Sequence, residues 1–332
     1  QAASAGHLPR LRGARLGTAD RAWGGFEGNH RVFRCVVGGK DCQRDEALKN
    51  HESAFAVKTP LDTAVLFLVF NRPETTARVF ESIRETQPPR LYVAADGPRA
   101  TRDGEAATVA KVRQIATAVD WPCEVKTLFR EKNLGCKCAV SEAITWFFEN
   151  EEQGIILEDD CLPSQSFFRF CEQLLNHYAD NESVMMISGH NGLGQHRARE
   201  VDYFFSNVGG IWGWASWSRA WRKYTLDLHY IEKEFQRLSD KLKRQLGSKV
   251  YRARKTHLES LKNGLDTWDY QWSLIRHINS GLSCVPSRNL VKNIGFGPDA
   301  THTKTGLLTV PHYEISLPVR HSVGIHPDRR YD

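Results

Sequence analysis

The stretch Gly154-Ile155-Ile156-Leu157-Glu158-Asp159-Asp160 decides how this chain is read. Ile155, Ile156 and Leu157 form a continuous aliphatic run, the composition of a parallel strand covered on both faces. The run stops abruptly in three carboxylates, which then fall at the strand's carboxyl end, where open α/β sheets bind ligands in a crevice. Hard oxygen ligands at such a point suit Mg²⁺ or Mn²⁺, which take one or two protein carboxylates and complete their shell with water and substrate phosphate oxygens. A diphosphate-bearing substrate is the natural partner. The competing reading makes Glu158, Asp159 and Asp160 a solvated strand-to-loop turn ahead of Pro163, with Asp159 or Asp160 capping the next helix.

Outward from this stretch, strand and helix alternate on the N-terminal side. Ala64 to Phe70 reads as an apolar strand, and Pro73, at its favoured first position, opens a helix to about Thr86. Leu91 to Ala95 reads as a strand, Glu105 to Val119 as a helix, Glu124 to Phe129 as a strand and Gly135 to Asn150 as a helix, with Gly154 to Leu157 the fourth strand. This order predicts a mostly parallel α/β sheet with right-handed crossovers. On the C-terminal side aromatic clusters replace the alternation. Trp214, Trp217 and Trp221 have helical spacing and suggest one buried stripe. A Lys/Arg-rich helical region spans about Ile231 to Leu261, a helix about Trp268 to Ser280, and a strand Leu282 to Val285. The resulting organisation is a poorly patterned extension over 1–60, a regularly alternating half over 61–200, and a less regular half with a C-terminal loop over 201–332.

The 332 residues, 41% hydrophobic, can bury a full core. No apolar window reaches the roughly 18 residues a bilayer span needs, so no transmembrane segment is expected. There is no Met at position 1, which reads as a processed form or a fragment. The eight cysteines are scattered and make neither a disulfide framework nor a zinc knuckle. The net charge of +6 is partly concentrated at the start, where residues 1–58 hold ten Lys/Arg against six Asp/Glu. A solvated surface accounts for that, so no nucleic-acid partner is expected. The compartment expected is the cytoplasm, with peripheral membrane contact left open.

The first strand ends in Phe70-Asn71-Arg72-Pro73 and the second in Asp96-Gly97-Pro98-Arg99, both where a doubly wound sheet binds a nucleotide. Arg72 can meet phosphate, the backbone N–H groups near Pro73 favour anions, and Asp96 can accept from a base or ribose. The alternative is that Asn71 and Asp96 only cap and turn. Asn133-Leu134-Gly135 closes the third strand with similar chemistry. Among the aromatic residues, Trp212 with Gly213 is the pair chosen for a sugar contact. Asp269 is the candidate general base, because an acceptor hydroxyl is a poor nucleophile until its proton is drawn away. Its neighbours Trp268 and Trp272 stand at i and i+4, as an apolar wall for a sugar ring that would raise the carboxyl pKa. Alternatively, Asp269, three residues after Asp266, merely complements the helix dipole.

These residues resemble a family, the nucleotide-sugar-dependent glycosyltransferases of the GT-A fold. The likeness runs from about Thr63 to Gly306 and rests on Phe70-Asn71-Arg72-Pro73, Ala95-Asp96-Gly97, Asn133-Leu134-Gly135, Leu157-Glu158-Asp159-Asp160, Trp212-Gly213-Trp214 and Trp268-Asp269. Bacterial polysaccharide enzymes and the eukaryotic N-acetylglucosaminyltransferases of N-glycans look similar. Glu158-Asp159-Asp160 resembles that family's DXD motif, with Glu in place of the first Asp. The resemblance implies that Asp160 ligates Mn²⁺ or Mg²⁺ and that Asp159 holds the ribose or sugar edge. It further implies that Asp96 meets the nucleoside, and that His302, in Ala300-Thr301-His302-Thr303, completes the metal or diphosphate site. It likewise implies that the half over 61–200 is donor-binding and the half over 201–332 acceptor-binding.

The expectation is therefore a metal-dependent glycosyltransferase of the hexosyl or N-acetylhexosaminyl class. It would move sugar from a nucleoside-diphosphate donor, most simply a UDP-sugar, to a glycan or other hydroxyl acceptor, with inversion. The rivals are a nucleotidyltransferase that makes the nucleotide sugar, and a catalytically silent sugar-binding module. The first usually wants a Gly-rich, basic loop after strand one, and Asn71-Arg72-Pro73-Glu74 has no glycine.

Overall fold

The Gly154 strand lies in the middle of the molecule because both its faces are covered. The computed structural model describes residues 60–295, 310–321 and 324–332. Apart from Pro60, the extension expected over 1–60 lies outside the described residues, and so does His302. The first half builds β1 (Val65–Val69), α1 (Pro73–Thr86), β2 (Arg90–Ala95), α2 (Glu105–Ala116), β3 (Glu124–Phe129), α3 (Gly135–Asn150) and β4 (Gln153–Glu158). These are the expected elements, with no end shifted by more than three residues. Then follow β5 (Cys161–Pro163), α4 (Gln165–His177), β6 (Val184–Ser188), β7 (Tyr203–Ser206), β8 (Trp214–Trp217) and the single turn α5 (Ser218–Trp221). The chain continues with α6 (Leu228–Arg237), α7 (Ser239–Lys262), α8 (Asp269–Ile278), β9 (Leu282–Pro286) and β10 (Val291–Asn293).

Eight strands form one sheet in the order β3-β2-β1-β4-β8-β6-β9-β7. β3, β2, β1 and β4 are mutually parallel. β8 is wedged in antiparallel to both β4 and β6, so β6 runs the same way as β4, and β9 pairs parallel to β6. Only β7 and β8 of the eight oppose the common direction. The fold is thus the expected α/β class, a mostly parallel sheet with helices on both faces.

Alternation along β1 explains the two-sided core. Val65, Phe67 and Val69 pack with Val79, Ile83, Val112 and Phe167 of α1, α2 and α4. Leu66 and Leu68 pack on the other face with Ile144, Phe147, Trp272 and Ile275 of α3 and α8. Gly154 is required by this packing, since a Cβ there would run into the Phe147 ring and the Ala64 carbonyl. Among the described residues no helix is long and apolar enough to cross a membrane.

One expectation is corrected, and two are made more specific. The tryptophan segment is a strand, not a helical stripe. Trp214 faces the α8 side, with its ring 5.6 Å from that of Trp268, while Trp217 faces the opposite core and donates its indole N–H to the Leu175 carbonyl. Pairing with β4 and β6 overrides the i, i+3, i+7 pattern. The basic helical region is two helices, and α7 is itself interrupted at Gly247 (φ 74°, ψ 163°). The sheet itself runs across position 200, with β7, β8 and β9 in the same sheet as β1 to β4.

Candidate functional site

Six strands of common direction bring their carboxyl ends to one edge, and the acidic stretch sits near its centre. Glu158 ends β4, and the chain passes through Asp159 and Asp160 into β5, which pairs antiparallel with β10. The Asp160 carbonyl accepts the Ile294 backbone N–H at 2.7 Å. Gly295 lies so close to the Asp160 carboxylate that a Cβ there would collide with it. On the β1 side, the Arg72 guanidinium donates to Asp160 Oδ2 at 2.6 Å and stands 3.7 Å from Asp159 Oδ1. The Phe70 backbone N–H donates to Asp159 Oδ2 at 3.1 Å. The joint arrangement expected from the ends of β1 and β4 is therefore formed by direct contacts.

Three carboxyl groups meet one guanidinium here, and the electrostatics follow. Burial, then Asp160, pushes Asp159 up to about 7, against the opposing pull of Arg72 and the Phe70 N–H. Burial pushes Glu158 well above the carboxylate range, reinforced by Asp160, Asp159 and Asp269. Glu158 Oε1 is buried and has no hydrogen-bond partner among the described residues. Surplus negative charge, hard oxygen donors and an orphaned carboxylate oxygen fit a small divalent cation completed by ligand phosphates. Among the described residues no three His, Cys, Asp or Glu side chains form a group that could by itself hold a metal ion.

The ends of β1, β2 and β3 are tied together by side-chain contacts. The Asn71 amide donates to Glu105 Oε1 at 2.9 Å. Glu105 in turn takes the Arg99 backbone N–H at 2.6 Å and its guanidinium, which lies over the Phe70 ring at 5.3 Å. Asp96 accepts from the backbone N–H groups of Gly97, Leu134 and Gly135 at 2.8 to 3.1 Å. Through those bonds Asp96 caps α3 and holds the β2 and β3 loops together. Asn133 braces the same junction through the Gly97 carbonyl at 2.9 Å. Gly135 has φ 79°, a backbone conformation in which a side chain is strained.

Asp269 opens α8 and is half-buried, with a hydroxyl hydrogen bond from Thr267. Its charge reaches Glu158, and it reinforces the upward push that burial gives Cys136 and Tyr224. It belongs to the β4 edge. The apolar wall expected beside it is not open: Trp268 and Trp272 are buried with Trp214 and Trp221, so neither indole offers a face to a sugar. Trp212 is partly buried against the core, and Gly213 (φ 63°) sits against Leu157 and Val291.

Sequence reading missed Glu105, Asp266 and His190. Asp266 caps α3 from 130 positions away, accepting from Cys136 N–H at 3.0 Å and Lys137 N–H at 3.1 Å. His190 follows the apolar run Val184 to Ser188, and the reasoning applied to β4 would have found it at that strand's end.

No family profile and no curated protein matches the chain. Solved structures with partial likeness include HddC from Yersinia pseudotuberculosis, at 10% identity and TM-score 0.31, over 50% of this chain and 81% of that one. The glycosyltransferase GlyE of Streptococcus pneumoniae is 9% identical at TM-score 0.33, over 68% and 45%. A UDP-glucose pyrophosphorylase complexed with UDP-glucose is 12% identical at TM-score 0.24, over 44% and 62%. The chain thus spans less than two thirds of the last two, and likeness at these scores carries no argument about what the chain does.

Proposed function

We propose that the chain is a metal-dependent glycosyltransferase of the GT-A kind. Its donor is a nucleoside-diphosphate sugar, most simply a UDP-sugar, and its acceptor a hydroxyl group. The observation that carries this reading is the acidic tip of β4, held by Arg72 and Phe70 at the carboxyl edge of the sheet with more carboxylates than its neighbours balance. Asp160 would hold Mn²⁺ or Mg²⁺, with His302 as the residue the family resemblance adds, and Asp159 would hold the ribose or sugar edge. When bound, the ion supplies Lewis-acid stabilisation of charge on the leaving diphosphate. Arg72 orients the phosphates, and Asp269 accepts the acceptor's proton, for single displacement with inversion.

The test is hydrolysis and transfer from a panel of UDP-sugars, with Mn²⁺ or with chelator. Activity should need the metal. Asp160→Asn should abolish the tighter binding of UDP that metal confers. Asp269→Asn should slow transfer by about 10²- to 10⁴-fold with UDP affinity kept. Metal-independent UDP binding, or full turnover by Asp269→Asn, overturns the corresponding assignment.

A further inference from the structure

The sheet edge continues past the carboxylates. β6 runs parallel to β4, so its carboxyl end, Ser188-Gly189-His190, emerges on the same edge, with Gly213 at the start of β8 between them. The links are direct. The Gly213 N–H reaches the sulfur of Cys161, the residue after Asp160, and the Gly213 carbonyl accepts the Gly189 N–H at 2.7 Å. His190 is then fixed on three sides. Its ring lies 4.5 Å from that of Trp212, its Nδ1 lies against Gly210 where a Cβ would not fit, and Ser188 Oγ holds both the His190 and Gly210 carbonyls. Its Nε2 is buried and has no hydrogen-bond partner among the described residues.

A buried polar nitrogen left without a partner is costly, and in a native site it usually answers to a water or a ligand. Burial also pulls the imidazole down to about 4. The ring is therefore neutral near pH 7, one nitrogen donating and the other accepting, and either pairs with a hydroxyl. Beside it Trp212 is partly buried against the core, and an indole is a surface on which the C–H side of a pyranose ring can pack. Along the edge, Arg72 and Phe70 at β1 come first, the carboxylates at β4 next, and Gly213, Trp212 and His190 last. A nucleotide sugar laid along that line, diphosphate at the carboxylates, has its sugar at His190.

Resting on the glycosyltransferase reading, we infer that His190 and Trp212 form the subsite for the transferred sugar, with His190 Nε2 hydrogen-bonded to a ring hydroxyl. His190 is a sugar-contact residue and takes no part in the proton transfer assigned to Asp269.

The experiment is calorimetry with Mn²⁺, comparing UDP with UDP-glucose, UDP-galactose, UDP-N-acetylglucosamine and UDP-glucuronic acid. It uses the unmodified chain, His190→Phe, which keeps a ring against Trp212, and His190→Gln, which keeps a hydrogen-bonding group. For the sugar that binds best, the preference over plain UDP should fall about 5- to 50-fold in His190→Phe and less in His190→Gln, with UDP affinity and melting temperature unchanged. An unchanged preference in both variants overturns the inference while leaving the parent reading intact, and so does a lower melting temperature with the preference kept. Absence of any metal-dependent nucleotide binding by the unmodified chain overturns both.

Discussion

Glu105 shows how a single residue at the edge is decided by its partners. It is buried in the first turn of α2, and the Arg99 guanidinium and backbone, together with the Asn71 amide, hold its carboxyl down at about 2 from an ordinary 4.5. A carboxyl whose folded pKa is depressed favours folding above its unfolded pKa, and that contribution is lost as the pH falls through the folded value. Glu105→Gln should therefore cost on the order of 1 kcal/mol near pH 7, a figure kept low because the Arg99 side chain is 41% exposed. The gap to the parent should shrink as pH is lowered from about 5 towards 2, measured by urea unfolding at each pH. A gap independent of pH would mean that packing, not charge, sets the cost. At this scale the sequence placed Asn71, Arg72, Asp159 and Asp160 at strand ends, where the structure has them. It could not separate a ligand contact from a strut, because Asn71 finds Glu105 and Asp96 finds Leu134 and Gly135, partners 34 to 39 positions away.

At the scale of the element, α3 is the instructive case. A helix start carries unpaired N–H groups and partial positive charge, and commonly attracts anions. Here two carboxylates from distant loops already occupy it, Asp96 on Leu134 and Gly135, and Asp266 on Cys136 and Lys137. Asp266→Ala should lower stability by about 1 kcal/mol. Gly135→Ala should cost more, since it combines positive φ with a Cβ 2.7 Å from Asp266 Oδ2. Thermal melting of the two variants and their double mutant checks this. Because the methyl group added at position 135 collides with the Asp266 carboxylate, the double mutant should lose less than the sum of the single losses. Helices and strands of the first half were legible because period and punctuation agreed. The tryptophan segment was not, because helical spacing there is an accident of a strand whose two faces both demand large side chains.

Across the whole molecule, the sheet does not divide where composition changes. β6 finds its neighbours only in β8 and β9, both of which lie beyond residue 200. A fragment spanning 61–200 should therefore show no cooperative unfolding by circular dichroism, whereas mixing it with 201–332 should restore a transition. A sharp transition in the first fragment alone would show that β1 to β4 and their helices suffice. The class of fold was readable from alternation alone. The wedge was not, since strand order beyond β4 depends on pairings that no local period encodes.

The wedge also has a consequence during synthesis. Between the emergence of Glu158 and that of Trp217 about 60 residues must be made, which at ribosomal speeds takes roughly 3 to 12 s. For that interval the nascent β4 has a bare, aliphatic edge where β8 will later pair. Such an edge is a template for strands of neighbouring chains, so crowded polysomes would be where this protein is most exposed to aggregation, and slower translation ahead of Trp214 would lengthen the danger.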